Sequence, residues 1–133
     1  ITQLSSQFSQ DACVRSFLTE WQRRLADTGD VVAEGRDMGS VVFPHASIKV
    51  YLTASLRART LRRLAEYEQR GEPIDYATLE ADIRLRDERD SSRRLAPMRP
   101  ADDAVMVDTS NLSIAEVVAV LKALVLNVRD QSG

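Results

Sequence analysis

Apolar positions near the start of the chain recur with the period of a helix. An amphipathic helix is therefore predicted for residues 10–26. Its apolar side chains are Val14, Phe17, Leu18, Trp21 and Leu25. We expect this face to be buried, with Phe17 and Trp21 in the core.

Three short apolar runs predict buried β-strands. They are Val31–Ala33, which leads into a glycine turn, residues 48–54, which are β-branched and apolar, and Ala104–Val107. Strands that are apolar on nearly every position are typical of a parallel sheet with helices on both faces.

Two strongly charged helices are predicted for residues 55–69 and 76–94, with Gly71 and Pro73 between them. Few of their positions are apolar, so these helices cannot bury much surface. We expect a helical hairpin that stands off the core and is held partly by charge pairs, which describes a mobile lid.

A last helix is predicted for residues 114–128, where Ser113 and Glu116 form a capping box before an apolar-periodic run. Along the chain the predicted order is thus helix, strand, helix pair, strand, helix. This order predicts the α/β class, with a parallel sheet flanked by helices.

The 133 residues carry a formal charge of −2, and all but two of the 18 basic residues are arginine. Most of the arginines lie between Arg57 and Arg99. A GC-rich genome explains an arginine excess equally well, but the clustering favours phosphate binding, because the guanidinium fork fits two phosphate oxygens at once. The negative net charge argues against a nucleic-acid partner.

Arg36 and Asp37 follow the first predicted strand, between Gly35 and Gly39. Ligands of open parallel sheets lie beyond the carboxyl ends of the strands, so this pair is well placed for binding. Arg36 could fork a phosphate, and Asp37 could accept hydrogen bonds from an exocyclic amine or hold an arginine. The alternative is a turn whose arginine and aspartate merely pair.

Arg86, Asp90 and either Arg93 or Arg94 fall on one face of the second charged helix. Such a face can hold one arginine rigid while another reaches a phosphate. The alternative is a solvated face with exposed ion pairs, and it applies equally to Arg59, Arg62 and Arg63.

Other classes of function find little support. Cys13 and His45 each stand alone, so neither a disulfide nor a metal site is expected. No apolar run is long enough to span a bilayer and no secretory signal is visible, so we expect no membrane partner and a cytoplasmic location.

Several motifs occur together in the order found in one family. They are GRDMGSVVFPHASIKVYLTAS at 35–55, the arginine cluster Arg59–Arg63, IRLRDERDSSR at 83–93, LAPMRPADDAVMVDTS at 95–110 and LSIAEVV at 112–118. Over essentially its whole length the chain resembles the bacterial cytidylate kinases. The resemblance implies a partial P-loop nucleoside-monophosphate kinase fold. It divides the chain into three parts. Residues 1–55 would form the acceptor-site helix and core strands, residues 56–99 would form an arginine-rich helical lid, and residues 100–133 would form the C-terminal core strand and helix.

The resemblance also assigns roles to residues. Those that would read the cytosine are Ser6, Arg15 and Asp37. Arg36 and Arg86 would fork the CMP phosphate, Asp90 would lie near the ribose hydroxyls, and Arg93 would act from the lid. The catalytic set implied is Arg36, Arg86 and Arg93. Further lid contacts to phosphate are implied for Arg59, Arg62 and Arg63.

The activity implied is the ATP-dependent, Mg²⁺-dependent phosphorylation of CMP or dCMP by an enzyme that is a monomer when complete. The sequence contains no GxxxxGK[ST] motif, since neither Lys49 nor Lys122 follows a glycine. We therefore expect a part of a longer kinase that is inactive without a P-loop. The alternative is a non-catalytic remnant of the same fold that binds CMP or a partner protein.

Overall fold

A computed structural model describes residues 11–92 and 100–132. Along the chain it contains α1 (Ala12–Ala26), a five-residue π-helical turn (Met38–Val42, the π-turn), β1 (Val50–Thr53), α2 (Leu56–Gln69), α3 (Tyr76–Ser91), β2 (Val105–Asp108) and α4 (Ile114–Ser132). The predicted α/β class is confirmed. The π-turn occupies a stretch for which the sequence predicted only a loop.

The sheet of the described residues has two parallel strands, β1 and β2, paired from Val50 opposite Val105 to Thr53 opposite Asp108. Parallel strands need a long crossover, and the chain provides it as the α2–α3 hairpin. Beyond the ladder, the amide of Thr109 donates to the carbonyl of Thr53 at 2.7 Å. The sheet therefore leads directly into the base of the hairpin.

The strand predicted for Val31–Ala33 does not form. These residues have no regular structure, and Val32 is fully exposed. An apolar run becomes a strand only where a neighbouring strand supplies backbone partners, and the described part of the chain places none beside it.

The apolar face of α1 is also not buried as predicted. Phe17 and Trp21, both expected in the core, are 68% and 55% exposed. A helical period identifies the face that gains by burial, but burial also needs a partner surface. No residue of α1 or α4 is fully buried in the described structure.

Capping residues define the hairpin helices. The side chain of Ser55 accepts from the amide of Ala58 at the start of α2, and that of Asp75 accepts from the amide of Thr78 at the start of α3. Gly71 has φ 70°, the left-handed conformation that glycine tolerates best, at the turn between the helices. The helix α3 ends at Ser91 with Ser92 as its C-cap, and the last two residues of the predicted helix, 93 and 94, lie outside the described residues.

The buried residues of the described ranges are few, and four of the six are polar or charged. They are Asp37, Val42, Thr60, Leu79, Asp90 and Thr109. Two of these, Asp37 and Asp90, are carboxylates, which are costly to bury unless paired. Their partners define the candidate site.

Candidate functional site

The loop before the π-turn holds a buried ion pair. The carbonyl of Asp37 accepts from the amides of Val41 and Val42, at 2.9 and 3.2 Å, so the backbone of Asp37 begins the π-turn. Its buried carboxylate pairs with the guanidinium of Arg15 from α1. Two of the three residues that the resemblance assigns to cytosine, Arg15 and Asp37, therefore lie in direct contact.

A second ion pair joins the same loop to the α2–α3 hairpin. Arg36 donates to the carboxylate of Asp90, near the end of α3. Asp90 is buried, whereas the Arg36 side chain is partly exposed. The arginine expected to bind phosphate is thus paired with the carboxylate expected near the ribose.

Arg59 connects three elements at the base of the hairpin. Its Nη1 donates to Oδ1 of Asp87 in α3 at 2.8 Å, and its Nη2 lies 2.7 Å from the other carboxylate oxygen. Its Nε donates to the carbonyl of Ala54 after β1, at 3.1 Å. Paired guanidinium–carboxylate bonds of this kind are directional as well as strong. They orient α3 relative to the end of the sheet.

An arginine-rich cleft lies between the loop and the hairpin. Its volume is about 270 Å³, and it is lined by Arg36, Arg59, Arg63, Ile83, Arg86, Asp87 and Asp90. Four guanidinium groups against two carboxylates make the cleft locally cationic. Three of these arginines, Arg36, Arg59 and Arg63, are ion-paired, with Asp90, Asp87 and Glu66 respectively, so the composition of the cleft favours an anionic ligand without identifying it.

The cleft brings together five of the residues singled out in the sequence: Arg36, Arg59, Arg63, Arg86 and Asp90. Asp37 and its partner Arg15 lie next to the cleft, because Asp37 follows Arg36 in the chain. Arg62 points elsewhere, donating to the carbonyl and, at 3.3 Å, to the hydroxyl of Thr109 after β2. Ser6 and Arg93 lie outside the described residues.

Three residues of this region were not assigned a role from the sequence. Asp87 lines the cleft together with Ile83 and Asp90, and their helical spacing could have revealed it. Arg23 of α1 donates to the π-turn from Nε to the carbonyl of Val42 and from Nη2 to that of Val41, each at 2.7 Å.

The third is Lys49, whose side chain is buried although its partner is exposed. Its ammonium donates to the carbonyl of Pro44 and lies 2.8 Å from the carboxylate of Asp103. Its stem packs so close to Gly39 in the π-turn that a Cβ there would meet it at 3.3 Å. The hydrogen bond from Lys49 lowers the pKa of the Asp103 carboxyl.

The comparison with known families decides the classification. The family model described as cytidylate kinase matches residues 1–127. The chain belongs to the cytidylate kinase family. This confirms the resemblance read from the motifs and assigns the chain to a family of nucleoside-monophosphate kinases.

Curated relatives agree. The cytidylate kinase of Rhodococcus opacus is 46% identical over 134 residues, covering 100% of this chain and 57% of the relative. That of Thermotoga maritima is 46% identical over 114 residues, 86% of this chain and 52% of the relative. A bifunctional pantoate ligase/cytidylate kinase of Synechocystis is 50% identical over 119 residues, 89% of this chain and 23% of the relative. The chain thus spans about half the length of the curated cytidylate kinases that it matches.

The described residues contain neither a metal-binding cluster nor a membrane-spanning helix. Within 11–92 and 100–132, no three His, Cys, Asp or Glu side chains are grouped so that they could hold a metal ion. No helix in these ranges has both the length and the apolarity that crossing a membrane requires.

Proposed function

We propose that the polypeptide containing this chain is a cytidylate kinase, which transfers a phosphoryl group from ATP to CMP or dCMP and produces CDP or dCDP. In this proposal the chain supplies the acceptor site and the lid. The observation that carries it is the convergence of Arg36, Arg86 and Asp90 on one cationic cleft. These residues come from two separate segments, and each matches a family motif.

The cleft suits the acceptor phosphate. Arg36 and Arg86 would each offer a guanidinium fork to its oxygens, and Arg93 would join them from the lid. The nucleophile is an oxygen of CMP itself, so no serine or cysteine nucleophile is needed. For phosphoryl transfer the protein must hold the acceptor oxygen in line with the phosphoryl group. It must also supply hydrogen-bond donors that stabilise the negative charge on that group during transfer.

The buried pair of Asp37 and Arg15 suits base recognition. A carboxylate accepts hydrogen bonds from the exocyclic amine of cytosine, whereas uracil presents a carbonyl at that position and would be repelled. Arg15 holds the Asp37 carboxylate in place. Ser6 would complete the group.

The helical hairpin suits a lid. Its base is fixed by the contacts of Arg59, while Arg63 reaches the cleft from α2. Arg62 donates to Thr109 in this structure and would have to exchange that contact to reach phosphate. A lid that closes over both nucleotides excludes water and so limits wasteful hydrolysis of ATP.

ATP and Mg²⁺ are the cofactors that we propose for the whole protein. The 133 residues contain no P-loop motif, and the described residues contain no metal-ligating cluster, so they do not fit the magnesium site. The part of the mechanism that belongs to this chain is therefore binding and orienting the acceptor.

We further propose a cytoplasmic monomer without a nucleic-acid partner. The single cysteine is compatible with a reducing compartment, and the net charge of −2 opposes general binding to nucleic acids. The division into acceptor-site core (1–55), lid (56–99) and C-terminal core (100–133) belongs to the same proposal.

The absence of a P-loop motif from these residues favours one alternative, a remnant that binds CMP or a protein without catalysis. Isothermal calorimetry with CMP, combined with an assay for CDP formation, distinguishes the kinase from the remnant. If the natural polypeptide is a remnant, it binds CMP but forms no CDP when ATP and Mg²⁺ are added. If it is a kinase, it binds CMP and also forms CDP.

The base-reading role is tested with Asp37→Asn in the natural polypeptide that contains this sequence. Losing a charged hydrogen bond to the cytosine amine lowers kcat/KM for CMP by about tenfold to a hundredfold. UMP, whose carbonyl can accept from the new amide, gains relative to CMP. The control is Asp82→Asn, an exposed carboxylate of α3, which should behave as wild type. Unchanged selectivity for CMP in Asp37→Asn would refute the assignment.

A further inference from the structure

Arg23 forms a contact that no assigned role explains. Its guanidinium spans two successive backbone carbonyls, those of Val41 and Val42, with both donor–acceptor distances at 2.7 Å. Arginine side chains on exposed helices usually pair with carboxylates or remain in water. This one is committed to the last residues of the π-turn.

The π-turn needs such a contact. Its closing bonds run from the amide of Val42 to the carbonyl of Asp37, at 3.2 Å, and from the amide of Phe43 to that of Met38, at 2.7 Å. A single π-helical turn leaves its last carbonyls without partners inside the turn. Because Val42 is fully buried, water cannot readily replace Arg23 at its carbonyl.

The helix α1 consequently holds both ends of the π-turn. Arg15 pairs with Asp37 where the turn begins, and Arg23 binds the carbonyls where it ends. Arg23 is eight positions after Arg15, which places the two about 12 Å apart along the helix axis. The position of Asp37 is thus set from two points of one rigid element.

We propose that Arg23 is a positioning residue for base recognition: by fixing the end of the π-turn to α1, it holds Asp37 where it can read the cytosine. This inference rests on the proposed function. Arg23 itself touches neither the base nor the phosphate. Its loss would let the π-turn shift against α1, and Asp37 would no longer meet the cytosine amine at the right distance and angle.

The test uses the natural polypeptide that contains this sequence, with Arg23→Ala, Arg23→Lys and the control Arg24→Ala. Arg24 is the next residue of α1, is exposed and pairs with Glu20, so its removal leaves the π-turn untouched. For each protein, KM and kcat are measured with CMP, UMP and ATP, and the melting temperature is recorded.

In Arg23→Ala we expect KM for CMP to rise about tenfold, because small misplacements of a recognition group are costly. The preference for CMP over UMP should fall in proportion, while kcat and KM for ATP stay close to wild type. Lysine, a point charge that cannot span two carbonyls, should restore only part of the loss. Arg24→Ala should match wild type throughout.

A folded Arg23→Ala protein with unchanged KM for CMP and unchanged preference overturns the inference, even if its melting temperature falls, since that pattern marks a purely structural contact. Should the alanine variant not fold, Arg23→Lys decides in the same way. The two proposals fail differently. If the unmodified polypeptide does not phosphorylate CMP, the proposed function is refuted and the role of Arg23 falls with it, whereas normal kinetics in the variants refute only that role.

Discussion

Arg36 and Asp37 are neighbours in the chain, yet each pairs with a different part of the molecule. Asp37 is buried against Arg15 of α1, and Arg36 reaches Asp90 of α3. The simpler alternative, a turn in which the two side chains pair with each other, is therefore not what the structure contains. Adjacent residues of opposite charge serve here to connect one loop to two helices.

Asp103 offers a pH test of a single residue. The hydrogen bond from Lys49 lowers the pKa of Asp103 in the folded protein. The ionised carboxyl therefore stabilises the fold at pH values above the pKa of the unfolded carboxyl, about 3.9. This stabilisation is lost as the pH falls through the lower pKa of the folded protein. We expect Asp103→Asn to melt below wild type at neutral pH, and the difference to shrink on acidification below about pH 4. Thermal melts by circular dichroism across this range measure it.

The matched control is Asp102→Asn, an exposed neighbour that does not accept the hydrogen bond from Lys49. Its melting temperature should follow wild type at every pH. A difference between Asp103→Asn and wild type that is constant with pH would contradict the link to ionisation. Because Asp103 is exposed, added salt should weaken the effect.

At the scale of elements, the described part of the α2–α3 hairpin contains one buried apolar side chain, Leu79. Leu79 of α3 is 4% exposed, whereas Leu85 on the same helix is 47% exposed. We expect Leu79→Ala to lower the free energy of unfolding by about 2–3 kcal/mol, since it removes buried surface and leaves a cavity. Leu85→Ala should cost much less. Urea denaturation followed by circular dichroism compares them, and equal losses would show that Leu79 is not a core residue.

Element boundaries follow from local chemistry. The capping box predicted at Ser113 forms as expected: its hydroxyl accepts from the amide of Glu116, and the Glu116 carboxylate accepts from the amide of Ser113 at 2.7 Å. That second bond also lowers the pKa of Glu116. Caps involve residues three apart, so they can be predicted without knowledge of the fold.

At the scale of the whole molecule, charge is distributed unevenly. The chain is slightly acidic overall, yet the cleft collects four of its arginines. The local field, rather than the net charge, governs which ligands approach a cleft. An acidic protein can therefore present a cationic site for a nucleotide phosphate.

Trp21, the one tryptophan of the chain, reports on the exposed apolar face of α1. In the 133-residue chain by itself we expect acrylamide to quench its fluorescence readily, because Trp21 is 55% exposed. Stern–Volmer titration measures this, with the urea-unfolded chain as the upper reference. Strong protection from the quencher would show that another surface covers this face.

The amino-acid pattern by itself determined the α-helices, the two strands that pair, the capping box at Ser113 and the family, because periodicity, capping and motifs are local or read in order along the chain. It did not determine which apolar faces are buried: Val31–Ala33 and the face of α1 are apolar enough, but burial depends on a partner surface. Only the tertiary structure decided the pairs Arg15–Asp37, Arg36–Asp90 and Arg59–Asp87, which join residues 22, 54 and 28 positions apart. The tertiary structure also decided the hydrogen bonds from Arg23 to the carbonyls of the π-turn. Such contacts arise from how the elements pack, and no spacing along the chain encodes them.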